Sequence, residues 1–225
     1  MTMHFENQPA EEILRWAIDS FGDALAFVSS FQDEDMLILD MGARLAPGIR
    51  VFTLDTGRLP EETYQMMETV RARYGLRIEA VCPDAAELES MLTTHGPNLF
   101  RQSAALRKLC CEIRKVHPLE RKLTEFRAGV YGLRREQSAA RSNVPKVEER
   151  DGRVKVSPVA DWTSAQVDEY IRQHDVPRHP LYARNYTSIG CAPCTRAVEP
   201  GEQGRSGRWW WEQDATKECG LHVSR

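Results

Sequence analysis

Ala24-Leu25-Ala26-Phe27-Val28-Ser29-Ser30-Phe31-Gln32-Asp33-Glu34-Asp35-Met36-Leu37 sets a short apolar run, a polar turn and the start of a helical pattern in immediate succession. Ala24 to Val28 has the length of one buried strand. Met36, Leu37, Leu39 and Leu45 then carry a helical pattern that Pro47-Gly48 closes. The same alternation recurs outward from this stretch. Upstream, Ile13, Leu14, Ala17, Ile18 and Phe21 have helical spacing between Pro9 and Gly22. Downstream, Ile49 to Leu54 is the next strand, and Pro60 opens a helix through Tyr64, Met67, Val70 and Tyr74 that Gly75 ends. Arg77 to Cys82 and Gly129 to Leu133 are the third and fourth strands. Strands alternating with helices of this length predict an α/β fold: a parallel twisted sheet with helices on both faces. Ligands of such sheets sit beyond the carboxyl ends of the strands.

The pattern changes after residue 140. Glu149-Arg150-Asp151-Gly152-Arg153 predicts a hairpin turn joining Lys146–Glu148 to Val154–Val156. Asp161 or Thr163 is the expected N-cap of a helix through Val167, Tyr170 and Ile171. From Gly190 onward the chain is rich in Gly, Pro and charge. The expected organisation is therefore an α/β domain over 1–194 and a loosely packed or mobile C-terminal segment over 195–225. Trp209-Trp210-Trp211 is the apolar anchor of that segment.

With 225 residues and a net charge of −3, the composition does not favour a nucleic-acid partner bound through a general basic surface. No apolar run approaches the roughly 20 residues that span a bilayer, so no membrane partner is expected. Met1–Glu12 has neither a basic start nor an apolar stretch, and no signal peptide is expected there. A cytoplasmic location follows, where clustered cysteines more often bind metal or do chemistry than form disulfides.

Ser29-Ser30-Phe31-Gln32-Asp33-Glu34-Asp35 puts hydroxyls and free N–H groups at a helix start, which suits an anion such as phosphate. An ordinary N-cap turn would have the same composition. Leu54-Asp55-Thr56-Gly57 also follows a strand, and two such loops can hold a nucleotide between them; the bland reading is a turn with an Asp cap. Gly132-Leu133-Arg134-Arg135-Glu136-Gln137-Ser138, with Arg141 beyond, begins at a strand end and brings guanidinium groups suited to phosphate or sulfate. Arg205 and Arg208 in a Gly-rich segment could close over an anion. Taken singly, each of these arginines reads first as a surface charge.

The cysteines are the sharper signal. Cys110 and Cys111 are adjacent, and Cys191 and Cys194 form a Cys-Ala-Pro-Cys pair. Four thiols in two pairs suit a structural zinc ion or a [4Fe–4S] cube, and the spacing leaves both open. Lys115 lies one helical turn beyond Cys111, where its charge could offset a thiolate cluster or simply be solvated. Cys82, between Val81 and Pro83, reads as a buried small hydrophobe. Cys219, six residues from the end and near His222, reads as a reactive thiol or as an incidental tail cysteine.

Together, Ser-Ser-Phe-Gln-Asp-Glu-Asp, Leu-Asp-Thr-Gly-Arg-Leu, Cys-Cys-Glu-Ile-Arg-Lys, Gly-Leu-Arg-Arg-Glu-Gln-Ser, Cys-Ala-Pro-Cys, Gly-Arg-Trp-Trp-Trp and Glu-Cys-Gly-Leu-His resemble the assimilatory sulfonucleotide reductases, and most closely the adenylyl-sulfate (APS) branch. The resemblance covers about residues 25 to 222. It implies an adenine-nucleotide α-hydrolase-like fold and a [4Fe–4S] cluster on Cys110, Cys111, Cys191 and Cys194. It also implies attack by Cys219 on the sulfur of APS, and reduced thioredoxin as electron donor. Lys115, Arg141, Arg205 and Arg208 match positions around the sulfate and phosphate. Ser29, Ser30, Gln32 and Asp35 match the phosphate-side loop, with Gly132 at the neighbouring strand end. Leu54 and Thr56 match the adenosine side, and His222 a tail histidine. The resemblance leaves a homodimer or a homotetramer open.

Two departures from the family pattern stand out. Gly201-Glu202-Gln203-Gly204 is less acidic than expected, and Gln137 to Arg141 is one residue shorter, which sets Arg135 against Arg141 for one role. Branches specific for the 3′-phosphorylated substrate (PAPS) usually lack the four clustered cysteines. A PAPS-preferring or dual reductase is the alternative enzyme reading, and it would need a 3′-phosphate pocket near Arg58 and Arg107–Lys108. A zinc-stabilised nucleotide-binding module is the alternative outside enzymes.

Overall fold

Six strands form one sheet in the order β3-β2-β1-β4-β6-β5: β1 Leu25–Val28, β2 Val51–Leu54, β3 Ile78–Val81, β4 Ala128–Val130, β5 Val147–Arg150 and β6 Arg153–Val156. The computed structural model describes residues 5–202 and 204–212. β1 pairs in parallel with both β2 and β4, and β4 in parallel with β6. At one edge β5 runs antiparallel to β6, the hairpin that Glu149–Arg153 predicts. The cause is the hairpin: Asp151 and Gly152 take φ of 52° and 72°, the double left-handed turn that matches strand twist. An antiparallel edge strand on a parallel sheet is a common arrangement.

The chain order matters more than the strand count. From β1 it runs outward through β2 and β3, then returns to place β4 on the other side of β1. The carboxyl ends of β1 and β4 therefore flank the point where the order reverses, which is where open α/β sheets bind ligands.

The helices are α1 Ala10–Phe21, α2 Asp33–Leu45, α3 Glu61–Tyr74, α4 Ala85–His95, α5 Ala104–Cys111, α6 His117–Leu123 and α7 Ser164–Gln173. Thr163 caps α7 through a reciprocal pair with Gln166. Between α5 and α6, Glu112–Val116 forms a π-helical turn. None of the described helices is long and apolar enough to cross a membrane.

The chain folds as two compact units: 1–53, 61–79 and 125–182 form the first, and 54–60, 80–124 and 183–225 the second. The first carries the main core, in which Ile13, Leu14 and Ala17 of α1 and Met36, Leu37 and Leu39 of α2 are buried with Phe27, Val51, Val130 and Val156 of the sheet. The second has a smaller core of Met91, Leu99, Phe100, Cys110, Ile113, Cys194 and Trp209. Trp209 is 1% exposed, which fits its reading as an apolar anchor. Cys82 is exposed, not the buried hydrophobe expected, because β3 ends at Val81.

One polar knot lies inside the first unit. Asp40 of α2, 5% exposed, accepts from Tyr170 of α7 at 2.8 Å, Tyr74 of α3 at 3.2 Å and Arg44 at 2.5 Å. Burial and the Asp40 charge push the Tyr74 hydroxyl up to about 12 and the Tyr170 hydroxyl higher, so both stay donors. Removing the shared acceptor strands the Tyr74 and Tyr170 hydroxyls, while Arg44 keeps the Asp40 carbonyl and solvent. Asp40→Ala is expected to lower unfolding free energy by about 2–4 kcal/mol, read from urea titration at neutral pH.

Candidate active site

In the first unit the turn after β1 is held by its own side chains. Phe31 is fully buried with φ of 59°, a left-handed conformation that a bulky residue adopts only where its surroundings enforce it. Ser29 Oγ accepts from the Phe31 N–H at 3.1 Å. Ser30 donates to Asp35 Oδ2 twice, from its N–H and from its hydroxyl, each at 2.6 Å, and Gln32 Nε2 donates to Ser30 Oγ at 2.9 Å. Asp35 Oδ1 accepts from the Gly132 N–H at 3.1 Å, which ties this turn to the loop after β4. A Cβ on Gly132 would collide with the Asp35 carboxylate and backbone, so the approach requires glycine.

The loop after β4 sorts its arginines. Arg134, 6% exposed, is committed to Glu34 at 2.8 Å, Glu136 at 3.1 Å and the Trp162 carbonyl at 3.0 Å. Arg135 donates to Glu6 and to the Val144 carbonyl. Arg141 is buried and donates to Gln137 Oε1 at 2.5 Å, while Gln137 Nε2 donates to the Gly132 carbonyl at 3.1 Å. Of the pair that the shortened segment set against each other, Arg141 is the one tied through Gln137 to the Gly132 loop.

The second unit gathers all four clustered cysteines. Cys110 and Cys194 are core residues, and Cys111 and Cys191 pack against the same small core. Cys110 and Cys111 end α5, and the π-helical turn that follows carries Arg114 and Lys115. Such turns often occur at functional sites. Cys191 and Cys194 flank a short 3-10 turn with Pro193. Thr56, wholly buried, places its hydroxyl 3.3 Å from Cys191 Sγ, and the Ala192 N–H donates to the Arg58 carbonyl at 2.8 Å. The Leu54–Gly57 loop and the Cys-Ala-Pro-Cys turn are thereby stitched together.

Cations surround the thiols. Arg114, 6% exposed, donates to the Thr56 carbonyl at 2.5 Å and pulls the Cys110 thiol down, as does Arg58. Burial outweighs both, and Cys110 is raised. Burial also pushes the Cys194 thiol up to about 12; the neighbouring Cys191 and Cys110 add to the rise, while Arg208 and Lys115 oppose it. Arg208, 4% exposed, fills the space beside Gly190, where a Cβ would meet its guanidinium. It donates to the Ile189 carbonyl at 3.3 Å, and Arg205 and Arg208 both reach Ser188 Oγ at 3.4 Å. Among the described residues, no three His, Cys, Asp or Glu side chains could hold a single metal ion.

The expected site residues thus fall into two groups. Ser29, Ser30, Gln32, Asp35, Gly132 and Arg141 come together in the first unit. Leu54, Thr56, Lys115, Arg205, Arg208 and the four cysteines lie in the second. Cys219 and His222 lie outside the described residues. Sequence reasoning gave no role at the cysteines to Arg58, Arg107 or Arg114. Arg107 and Arg114 flank the Cys-Cys pair at helical spacing, which was the available signal.

Residues 24–197 match the phosphoadenosine phosphosulfate reductase domain family. The chain is 48% identical over 204 residues to the adenosine 5′-phosphosulfate reductase of Burkholderia cepacia, covering 90% of this chain and 82% of that one. It is 42% identical to 5′-adenylylsulfate reductase 3, chloroplastic, of Arabidopsis thaliana, covering 99% of this chain and 50% of the plant protein. Among solved structures, phosphoadenylyl-sulfate (PAPS) reductase from Candida auris in a phosphate complex superposes with a TM-score of 0.71 at 28% identity, over 85% of this chain and 91% of that one. Candida glabrata FMN adenylyltransferase, at 12% identity and a TM-score of 0.56 over 93% of this chain and 76% of that one, shares the fold alone.

Asp35 gives this site a pH signature. Although the residue keeps some surface, its carboxylate is enclosed by the loop. Burial raises it to about 6 against its Ser30 and Gly132 donors, with Glu34 adding to the rise. A carboxyl raised on folding contributes stability that is whole below its unfolded value and lost as pH climbs through the folded one. The native chain should therefore lose stability relative to Asp35→Asn between about pH 4 and 7. Urea unfolding of both proteins across that range checks it, and a pH-independent difference would contradict it.

Proposed function

The chain belongs to the phosphoadenosine phosphosulfate reductase family, and from that premise we infer that it reduces adenosine 5′-phosphosulfate to sulfite and AMP in sulfate assimilation. The observation that carries the substrate choice is the gathering of Cys110, Cys111, Cys191 and Cys194 in one small core, the set that marks the APS branch. A second observation weighs against a 3′-phosphate pocket at the arginines best placed for one. Arg107 is paired with Glu212 at 2.6 Å, and Arg58 donates to the Pro97 carbonyl and to Asn98.

In the proposed reaction the Cys219 thiolate attacks the sulfur of APS. The bond from that sulfur to the AMP phosphate oxygen breaks, and AMP leaves with the electron pair. Cys219 then carries an S-sulfonate. Reduced thioredoxin attacks the Cys219 sulfur and expels sulfite. Its second thiol resolves the mixed disulfide, so the dithiol supplies both electrons. The sulfate oxygens repel an incoming thiolate, and fixed cations lower that barrier. The resemblance assigns this screening to Lys115, Arg141, Arg205 and Arg208. The resemblance assigns Ser29, Ser30 and Gln32 to the phosphate side, in a turn that Asp35 and Gly132 shape, and Leu54 and Thr56 to the adenosine side.

The four cysteines fit a [4Fe–4S] cluster in their chemistry. They are thiols gathered in an apolar core, with Arg58, Arg114, Lys115 and Arg208 placed to offset thiolate charge. A cube gives each thiolate its own iron, whereas zinc asks four sulfurs to converge on one atom. When bound, the cluster supplies an electrostatic setting and does not cycle. A cytoplasmic location and a homodimeric or homotetrameric assembly belong to the same proposal.

Two experiments test this reading. An anaerobic preparation should contain about four iron and four sulfide per chain and turn over APS faster than PAPS. Zinc without sulfide, or equal rates with PAPS, would overturn the cofactor or the substrate assignment respectively. Cys219→Ser should still bind AMP yet yield no S-sulfonated protein on mass analysis and no sulfite; normal turnover would remove Cys219 as nucleophile.

A further inference from the structure

Trp209 lies in the small core with Cys110 and Cys194, yet its indole N–H has no acceptor among the described residues. An unpaired buried donor is rare in native proteins and calls for an explanation. The backbone of the residue is unusual as well. Trp209 has φ of 42°, a left-handed conformation that a bulky residue adopts only where its surroundings hold it there. Its amide N–H donates to the Cys194 carbonyl at 3.2 Å, which ties the residue to the Cys-Ala-Pro-Cys turn. Cations border the ring: the Arg107 guanidinium lies 4.5 Å from its centroid and that of Arg208 lies 4.7 Å from it. Positive charge over an indole draws on its electron density and makes the N–H a stronger donor.

The neighbouring cations share the feature. Arg114 Nε and Arg208 Nε are also buried donors with no partner among the described residues. Both arginines act on clustered thiols, Arg114 on Cys110 and Arg208 on Cys194. Unpaired donors collected around four thiols suit a group that brings anionic acceptors with it. A zinc ion uses the thiolate lone pairs and adds no acceptor, whereas a [4Fe–4S] cube carries sulfides of its own. We propose that Trp209 is a positioning residue for that cluster, its indole N–H being the hydrogen-bond donor kept for a sulfur of the group. This rests on the assignment of the cluster to Cys110, Cys111, Cys191 and Cys194. Trp209 touches no substrate in this account.

The test uses the full-length chain prepared anaerobically, with Trp209→Phe and, as a packing control, Trp211→Phe, because Trp211 packs against the same core. Iron and sulfide content, the rate of iron release to a chelator, and the Fe–S stretching bands by resonance Raman in ordinary and heavy water are measured. Trp209→Phe should release iron roughly 10- to 100-fold faster than Trp211→Phe, as expected for one lost hydrogen bond to a charged acceptor. It should also lose part of the solvent-isotope shift that the native bands show. Release within about twofold of Trp211→Phe would overturn the proposal, as would an unchanged isotope shift. The native chain gives a reading that no folding defect can disturb. Its Trp209 indole N–H should exchange with heavy water about tenfold or more slowly with the cluster than without it, measured relative to the Trp211 indole. Equal slowing at both indoles contradicts a hydrogen bond to the cluster. If the native chain holds no iron and sulfide, the cluster assignment falls and takes this inference with it. A native cluster that is released at the same rate from both variants sinks the inference alone.

Discussion

A guanidinium cannot stay charged in an apolar core without something negative or strongly dipolar beside it, and that requirement organises the second unit. Arg107, Arg114 and Arg208 are nearly inaccessible to water. Arg107 is met by Glu212, Arg114 by the Thr56 carbonyl, and Arg208 by the Ile189 carbonyl and Ser188. Each partner belongs to a different stretch of chain, so satisfying the three cations fixes the tail root, the loop after β2 and the approach to the Cys-Ala-Pro-Cys turn. What remains of their positive charge faces the sulfur atoms. The Nε groups of Arg114 and Arg208 have no hydrogen-bond partner among the described residues, which leaves part of each cation for electrostatics alone.

The first unit applies the rule with the sign reversed. Asp35 is a carboxylate enclosed by the loop it organises, and its donors all come from the two loops flanking the reversal of strand order. Gly132 permits the contact and Phe31 absorbs the backbone strain of the turn. Asp35 therefore acts as a brace between two loops. The hydroxyls and N–H groups left over at the turn are the ones available to an anion.

Much of the fold was legible because its signals are local. α1 to α3 and β1 to β3 fall within a few residues of the places their periodicity marks. α4 was not read although its signals are present: Leu88, Met91 and Leu92 have helical spacing and pack on the second core, Asp84 caps the start and Gly96 follows the end. The burial of Trp209 was legible in the anchor reading of Trp209-Trp210-Trp211, because three adjacent indoles in a Gly- and charge-rich stretch need apolar cover. The cysteine set was legible from spacing, whereas the Arg107–Glu212 pair was not, since no sequence pattern links residues 105 apart. Cys82 misled because a cysteine among apolar neighbours usually packs, and here the strand stops one residue too soon.

The cysteine site closes late in the life of the chain. Thr56 and Cys191 meet across 135 residues, and the two cysteine pairs come from segments 80 residues apart, counting from Cys111 to Cys191. During synthesis from the N-terminus, Cys110 and Cys111 leave the ribosome well before their partners exist, whereas every strand of the sheet precedes Cys191. The nascent protein thus exposes two thiols to oxidant and stray metal until Cys191 and Cys194 emerge. Contacts this remote in sequence are also slow to form. Assembly of the four-thiol site becomes a step that follows the synthesis of Cys194, and its yield depends on the reducing power of the compartment while the chain waits.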